Sequence, residues 1–243
     1  MPRQVLVTGA GGFIGRHVAK RWANEGCRVV GIGHGNWSSE QARSWGIEAW
    51  HAADVTLETL TAYADAPEVI VHCAGSSSVT YSITNPFQDF QRTTQTAMEV
   101  LEYARLYAPA ARLVLLSSAA VYGHVIRLPI VETDLSNPIS PYGMHKYIAE
   151  KLFRSYADRF QISVSIVRFF SVYGSGLRKQ LLWDACEKLR RGLTSFSGTG
   201  EERRDWLHVD DAADLIVKAA GHASTLCDIV NGGSGISHSV RDI

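Results

Sequence analysis

The sequence predicts an α/β fold, a doubly wound parallel sheet with helices on both faces, and three observations predict it. An apolar run, Val5-Leu6-Val7-Thr8, gives way to four glycines in the seven positions Gly9 to Gly15 and resumes as Ile14, Val18 and Trp22 at helical spacing. That is strand, tight turn, helix. The pattern of apolar run, small or acidic turn residue, then helix recurs along the chain. Runs such as Val69-Ile70-Val71-His72 and Leu113-Val114-Leu115-Leu116 are apolar without alternation, as strands buried on both faces must be.

The first element carries the first functional signal. In Gly9-x-x-Gly12-x-x-Gly15, Gly9 lets the chain turn off the strand, Gly12 removes a Cβ that would block a pyrophosphate, and Gly15 lets the helix lie close to the sheet. The helix N-terminus, at Phe13 and Ile14, then faces the anion. Gly-rich turns of this size also occur without a nucleotide, so later stretches must support the reading.

The second strand, Cys27 to Ile32, leads into Gly33-His34-Gly35-Asn36. A dinucleotide fold usually places an acid here to bond the adenosine ribose and repel a 2′-phosphate. Gly33 occupies that position, which weakens strict NAD specificity, and with no cluster of arginines to greet a 2′-phosphate the expected cofactor is NAD, with NADP still open. His34 is either a ribose contact or a solvated loop histidine, and Arg16 is within reach of the same region. A short strand at 46–50 precedes Asp54-Val55. Two roles are open to Asp54, a bond to the adenine amino group or a cap for the helix over 57–64, while Val55 suits the adenine face. The strand at 69–72 ends in Cys73-Ala74-Gly75, a small-residue turn against which a cofactor can lie.

A long amphipathic helix is predicted over 86–107. The next strand runs into Ser117-Ser118-Ala119-Ala120, and Ser140-Pro141 opens another long helix to about Phe160. On that helix Tyr142 and Lys146, four apart, share a face. A phenol is a poor base at neutral pH, but a neighbouring ammonium favours the phenolate, and the Ser118 hydroxyl can bond the same substrate oxygen. Tyr-x-x-x-Lys pairs are also common on ordinary helix surfaces; it is the company of the Gly turn and the Ser-Ser strand end that makes Ser118, Tyr142 and Lys146 the candidate catalytic set.

The chain has 243 residues, enough for one large domain or a nucleotide domain with a smaller companion, and 24 basic side chains balance 24 acidic ones. No long-range field favours nucleic acid or an anionic membrane. Cys27, Cys73, Cys186 and Cys227 form no C-x-x-C pair and are read as reduced core thiols, with no metal site. A chain that enters its first strand almost at once is expected to carry no signal peptide, and no apolar stretch reaches the roughly 18 to 20 residues of a membrane span. A soluble, cytoplasmic protein is expected.

Together the motifs resemble the extended short-chain dehydrogenase/reductase family, specifically its NAD(P)-dependent nucleotide-sugar epimerases and dehydratases. The resemblance rests on Thr8-Gly9-x-x-Gly12-x-x-Gly15, Asp54-Val55, His72 to Gly75, Ser117-Ser118-x-x-Val121-Tyr122-Gly123, Tyr142-x-x-x-Lys146, Arg168 to Gly174 and Arg204 to Asp211. It implies a Rossmann-like domain over 1–170, to which 204–231 returns, and a small substrate lobe from 171–203 and 232–243, shorter than in the family and read as truncated. Cofactor contacts then fall to Gly9, Gly12, Phe13, Ile14, Gly15, His34, Asp54, Val55, Cys73, Ala74, Gly75, Ser117, Tyr142, Lys146 and Phe170. Ser118, Ser171 and Arg204 would face a nucleotide diphosphate sugar, Arg204 at the diphosphate. Three departures from the family pattern stand out: Gly33, Thr93 and Ser171, the last two where asparagines are usual.

The resemblance implies a 4-epimerase, acting by transient hydride transfer at sugar C4. A reductase of 4-keto nucleotide sugars is the alternative within the fold, and a non-catalytic dinucleotide-binding protein the alternative outside it. Ala119 and Ala120 stand where related 4,6-dehydratases carry an acid and base, so water elimination is not expected. Homodimerisation through the helices at 86–107 and 142–160, and a place in polysaccharide biosynthesis, are further implications of the resemblance.

Overall fold

The computed structural model describes residues 3–196 and 198–243. Its elements run β1 (Gln4–Thr8), α1 (Phe13–Asn24), β2 (Arg28–Gly33), α2 (Ser39–Ser44), β3 (Ala49–Ala52), α3 (Leu57–Tyr63) and β4 (Val69–His72). Next come α4 (Val79–Thr84), α5 (Pro86–Phe90), α6 (Thr96–Tyr107), β5 (Arg112–Ser118), α7 (Pro141–Phe160) and β6 (Ser163–Phe169). The remainder is β7 (Ser171–Tyr173), α8 (Gln180–Arg190), β8 (Arg203–His208), α9 (Val209–His222), β9 (Asp228–Gly232) and β10 (Ser237–Ser239).

Seven strands form one sheet in the order β3-β2-β1-β4-β5-β6-β9, and every pairing in it is parallel. The order reverses between β1 and β4, leaving a crevice at their carboxyl ends where open α/β sheets take their ligands. Two apolar layers cover the sheet. One holds Leu60, Leu101 and Phe153 from α3, α6 and α7, and the other Trp22, Ala42 and Ile216 from α1, α2 and α9. The doubly wound expectation is met.

Several boundaries differ from the sequence reading. The third strand begins at Ala49 rather than at 46, because Gly46 sits in a left-handed turn (φ +75°). The predicted 86–107 helix is continuous in path, but residues Gln91–Gln95 form a π-helical turn, which buries Thr93 and Thr94. The return to the main sheet starts at Val209, not at 204. Residues 203–208 instead form β8, the middle strand of a second, three-stranded sheet in the order β10-β8-β7. Of the supposed core thiols, Cys186 is exposed, since α8 buries none of its residues.

Local chemistry explains the ends. Ser140 accepts from the Gly143 amide and Pro141 occupies the first turn, so α7 starts there. Thr56 and Thr59 form a reciprocal cap for α3. Asp54 is therefore not that cap.

Candidate active site

Gly9 turns the chain off β1 with φ +68°, a conformation only glycine adopts without strain, and a Cβ there would come within 2.7 Å of the Ala74 backbone. A Cβ on Gly15 would meet the Gly9 carbonyl at 2.3 Å. At Gly12 the space is open apart from the Gly9 carbonyl at 3.0 Å. Gly9 and Gly15 are thus required by the turn's own packing, whereas Gly12 keeps its outer surface clear at the N-terminus of α1. The cradle fits a dinucleotide pyrophosphate, which the backbone at Gly12, Phe13 and Ile14 would hold.

The floor of the crevice is tied by His72. Its Nδ1 bonds the Thr8 hydroxyl at 2.8 Å, joining β4 to β1. Burial first, then the Lys146 ammonium, pushes His72 down to about 3, so it stays neutral. Beside it the Cys73 thiol is pushed up to about 12 by burial, which makes it a small inert wall. Gly75 lies next to Lys146, with 3.4 Å separating Nζ from the position a Cβ would take.

β5 and α7 bring Ser118, Tyr142 and Lys146 together. Burial raises the Tyr142 phenol, and the Ser118 hydroxyl beside it works in the opposite direction. Lys146 is buried, and its Nζ donates to the Leu116 carbonyl at 2.8 Å. Desolvation brings it down to about 8. The Lys146 ammonium, expected to favour the phenolate, is anchored by the strand carbonyl one helical turn along α7 from Tyr142.

Other predicted residues are placed differently. Ser117 was expected at the cofactor, but its hydroxyl bonds Glu150 at 2.5 Å in the interior. Asp54 and His34 bond each other across the ends of β3 and β2, both side chains being exposed. Val55 is buried in the apolar layer behind them. Phe170 and Ser171 follow β6 directly, the Phe170 amide donating to Gly232. Arg204 is exposed on β8 and donates to the Arg203 carbonyl at 2.9 Å; among the described residues no hydrogen bond links it to Ser118, Tyr142 or Lys146.

Two buried networks escaped the sequence reading. Arg168 makes paired bonds to Glu150, at 3.0 and 2.7 Å, and stacks on Tyr122, whose hydroxyl donates to Asn231. This clamp joins α7, β6, β9 and the turn after β5. A Lys146-x-x-x-Glu150 spacing, one helical turn beyond the candidate lysine, was its signal. The second is Asp89, fully buried, with Oδ2 2.6 Å from His145 Nδ1 and Oδ1 without a partner among the described residues. It acts electrostatically on both Tyr142 and Lys146. Asp89 lies on α5, in the turn before the π-helical residues, and no sequence pattern announces its pairing with α7. A cavity of about 400 Å³ between Glu132 and Arg168 is lined by none of Ser118, Tyr142 and Lys146.

A crevice at the topological switch point, a glycine cradle and a Ser-Tyr-Lys cluster beneath it define a dinucleotide-dependent enzyme of the short-chain dehydrogenase type. The chain belongs to the NAD dependent epimerase/dehydratase family, whose model matches residues 5–232. It is 31% identical to a probable UDP-glucuronate 4-epimerase of Rhizobium meliloti (strain 1021) over 88% of this chain and 67% of that protein. Identity to a putative UDP-glucose 4-epimerase of Methanocaldococcus jannaschii is 28%, over 98% of this chain and 79% of the relative. The crystal structure of UDP-glucose 4-epimerase from Brucella ovis in complex with NAD superposes with a TM-score of 0.86 at 28% identity, covering 98% of this chain and 80% of that one.

Proposed function

We propose that this protein is an NAD-dependent UDP-sugar 4-epimerase. The observation that carries the reading is the Ser118, Tyr142 and Lys146 cluster beside Gly75, whose neighbour Ala74 packs on Gly9 of the glycine cradle, in a chain related throughout to 4-epimerases. NAD, when bound, supplies a reversible hydride acceptor.

The protein's own residues handle the proton and the orientation. Tyr142 takes the proton from the sugar C4 hydroxyl and later returns it to the C4 oxygen. Ser118 bonds that oxygen and favours the phenolate through its hydroxyl. Lys146 carries its charge beneath the site, and Arg204 offers a guanidinium fork to the diphosphate. Phe13, Ile14, Ala74, Gly75 and Phe170 exclude water from the dinucleotide. Ala119 and Ala120 carry no transferable proton, so elimination of water is closed.

The related enzymes use UDP-sugars, and the substrate here is read as the same class. A homodimer through the helical stretch at 86–107 and α7 is supported by the exposed Phe87, Met98, Met144 and Phe160. No described helix is long and apolar enough to cross a membrane; a cytoplasmic place and polysaccharide biosynthesis fit the reading.

Incubation with UDP-hexoses, followed by NMR of the sugar, tests the proposal. Interconverted C4 epimers and no 4-keto-6-deoxy product are expected. Tyr142→Phe should lower the rate about a hundredfold or more, by loss of the proton shuttle. A 6-deoxy methyl signal, or stoichiometric NADPH oxidation on a 4-keto sugar, would overturn the epimerase assignment.

A further inference from the structure

The loop at 174–179, between β7 and α8, touches both banks of the crevice. On the α1 bank the Ser175 carbonyl accepts from His17 Nε2 at 2.9 Å, and His17 Nδ1 is tied at 2.9 Å to Asp210 in the first turn of α9. Gly174 runs so close to α9 that a Cβ there would stand 2.7 Å from Val209 Cγ1. Gly176 then passes the Arg16 guanidinium, with 3.6 Å between Nη1 and the position a Cβ would take, and Arg16 in turn donates to the Gly11 and Gly12 carbonyls of the cradle. On the β4 bank the Lys179 ammonium donates to the Ser77 hydroxyl, in the segment that follows β4. The loop therefore crosses from one lip of the crevice to the other.

Its two ends are held unequally. Leu177 is buried and Ser175 hangs on the buried His17, so the first end is fixed by packing. At the second end Lys179 and Gln180 are exposed, and α8 beyond them buries none of its residues. Gln180 has φ +73°, a conformation that a residue with a side chain keeps only where its neighbours impose it. Among the described residues, the Lys179 bond to Ser77 is the only hydrogen bond that ties residues 178–190 to a distant segment, and no carboxylate forms an ion pair with Lys179. A single charge-assisted bond between two exposed side chains can break and re-form without disturbing the core.

We propose that residues 174–179 form a strap across the mouth of the crevice, hinged at Ser175 and Leu177 and latched to Ser77 by Lys179, which opens to admit and release the dinucleotide. The proposal rests on the dinucleotide reading of the cradle. Neither hinge nor latch uses a group that the cradle offers to the pyrophosphate, so the latch closes with the site filled or empty. A gate of that kind slows entry and exit by the same factor and leaves the affinity unchanged.

Stopped-flow mixing of the full chain with NADH, followed by displacement of bound NADH with excess NAD, measures both rates through the nicotinamide fluorescence. Lys179→Ala and Ser77→Ala should each raise both rates about tenfold, with Kd changed by less than about threefold, and the double variant should be no faster than either single one, because each removes the same bond. Both positions are exposed, so the variants should fold as the parent does. A faster exit alone in Lys179→Ala, with Ser77→Ala unchanged, would assign the ammonium to the bound dinucleotide and overturn the strap. Unchanged rates in both variants would overturn it too, while leaving the cradle intact. Failure of the parent protein to bind either dinucleotide would overturn the cradle itself, and the strap with it.

Discussion

The two sheets of this chain are built on different principles. In the seven-stranded sheet, Val5, Leu6, Val7 and Thr8 of the interior strand β1 are wholly buried, and helices seal both faces. In the three-stranded sheet β8 buries none of its residues, and neither does the neighbouring α8. The first sheet positions side chains by close packing, which admits few alternatives. The second is held by local polar contacts, such as Asp205 accepting from the Ser234 and Gly235 amides. Groups that must be preorganised to a fraction of an ångström, the cradle and the Ser-Tyr-Lys cluster, sit on the rigid sheet. Arg204, which the proposed function sets at the sugar nucleotide's diphosphate, sits on the looser one.

The sharpest way to break this contrast is Gly12→Val. A Cβ there meets only the Gly9 carbonyl, at 3.0 Å, but the side chain occupies the pyrophosphate's place, so dinucleotide binding should be abolished in a protein that still folds; calorimetry against circular dichroism checks it. Unchanged affinity would remove the cofactor site from the cradle. Arg168→Ala comes next. It leaves Glu150 buried and unpaired beneath the main sheet, and breaking such a pair costs about 3–5 kcal/mol. Urea unfolding at constant slope would register it.

A smaller effect, of opposite sign, is expected at Lys146. Its fall from the usual 10.5 to about 8 corresponds to about 3 kcal/mol of destabilisation by the buried ammonium. Below pH 8 both folded and unfolded states carry the proton, and the cost is present in full. Between about 8 and 10.5 the unfolded chain holds more protons, so this contribution makes stability rise with pH. Lys146→Met should stabilise the cofactor-free protein at pH 7 and flatten that rise while abolishing epimerisation. Denaturant titrations at pH 7, 8 and 9.5 measure both.

The smallest effects belong to the second sheet. Arg204→Ala and Leu189→Gln should each change stability by less than about 0.5 kcal/mol, as exposed substitutions do. Only Arg204→Ala should raise the KM for a UDP-sugar, with kcat less affected. A large stability loss from either would show that the second sheet is packed more tightly than its exposure implies.

The site was legible in sequence where chemistry and spacing coincide. Gly9 and Gly15 declare their turn because no other residue satisfies it, and Tyr142 and Lys146 declare a shared helix face because 3.6 residues per turn leaves no choice. Ser117 was misplaced because a strand-end hydroxyl serves a cofactor or an interior carboxylate equally well, and only the fold put Glu150 within 2.5 Å of it. Residues 203–208 carried too little apolar pattern to say which sheet they would join.

What the sequence determined by itself is local: the period of each apolar run, the turns that only glycine allows, and the order of strands and helices that commits the chain to a parallel sheet. Tertiary structure decided everything that depends on two distant segments meeting. It buried Asp89 against His145, 56 residues away, stacked Arg16 between Trp37 and Trp45, and directed the Lys146 ammonium to the Leu116 carbonyl. The physical reason is that hydrogen bonding and desolvation act over a few ångströms. A side chain's charge and partner are properties of its surroundings, and those exist only once the chain has closed around it.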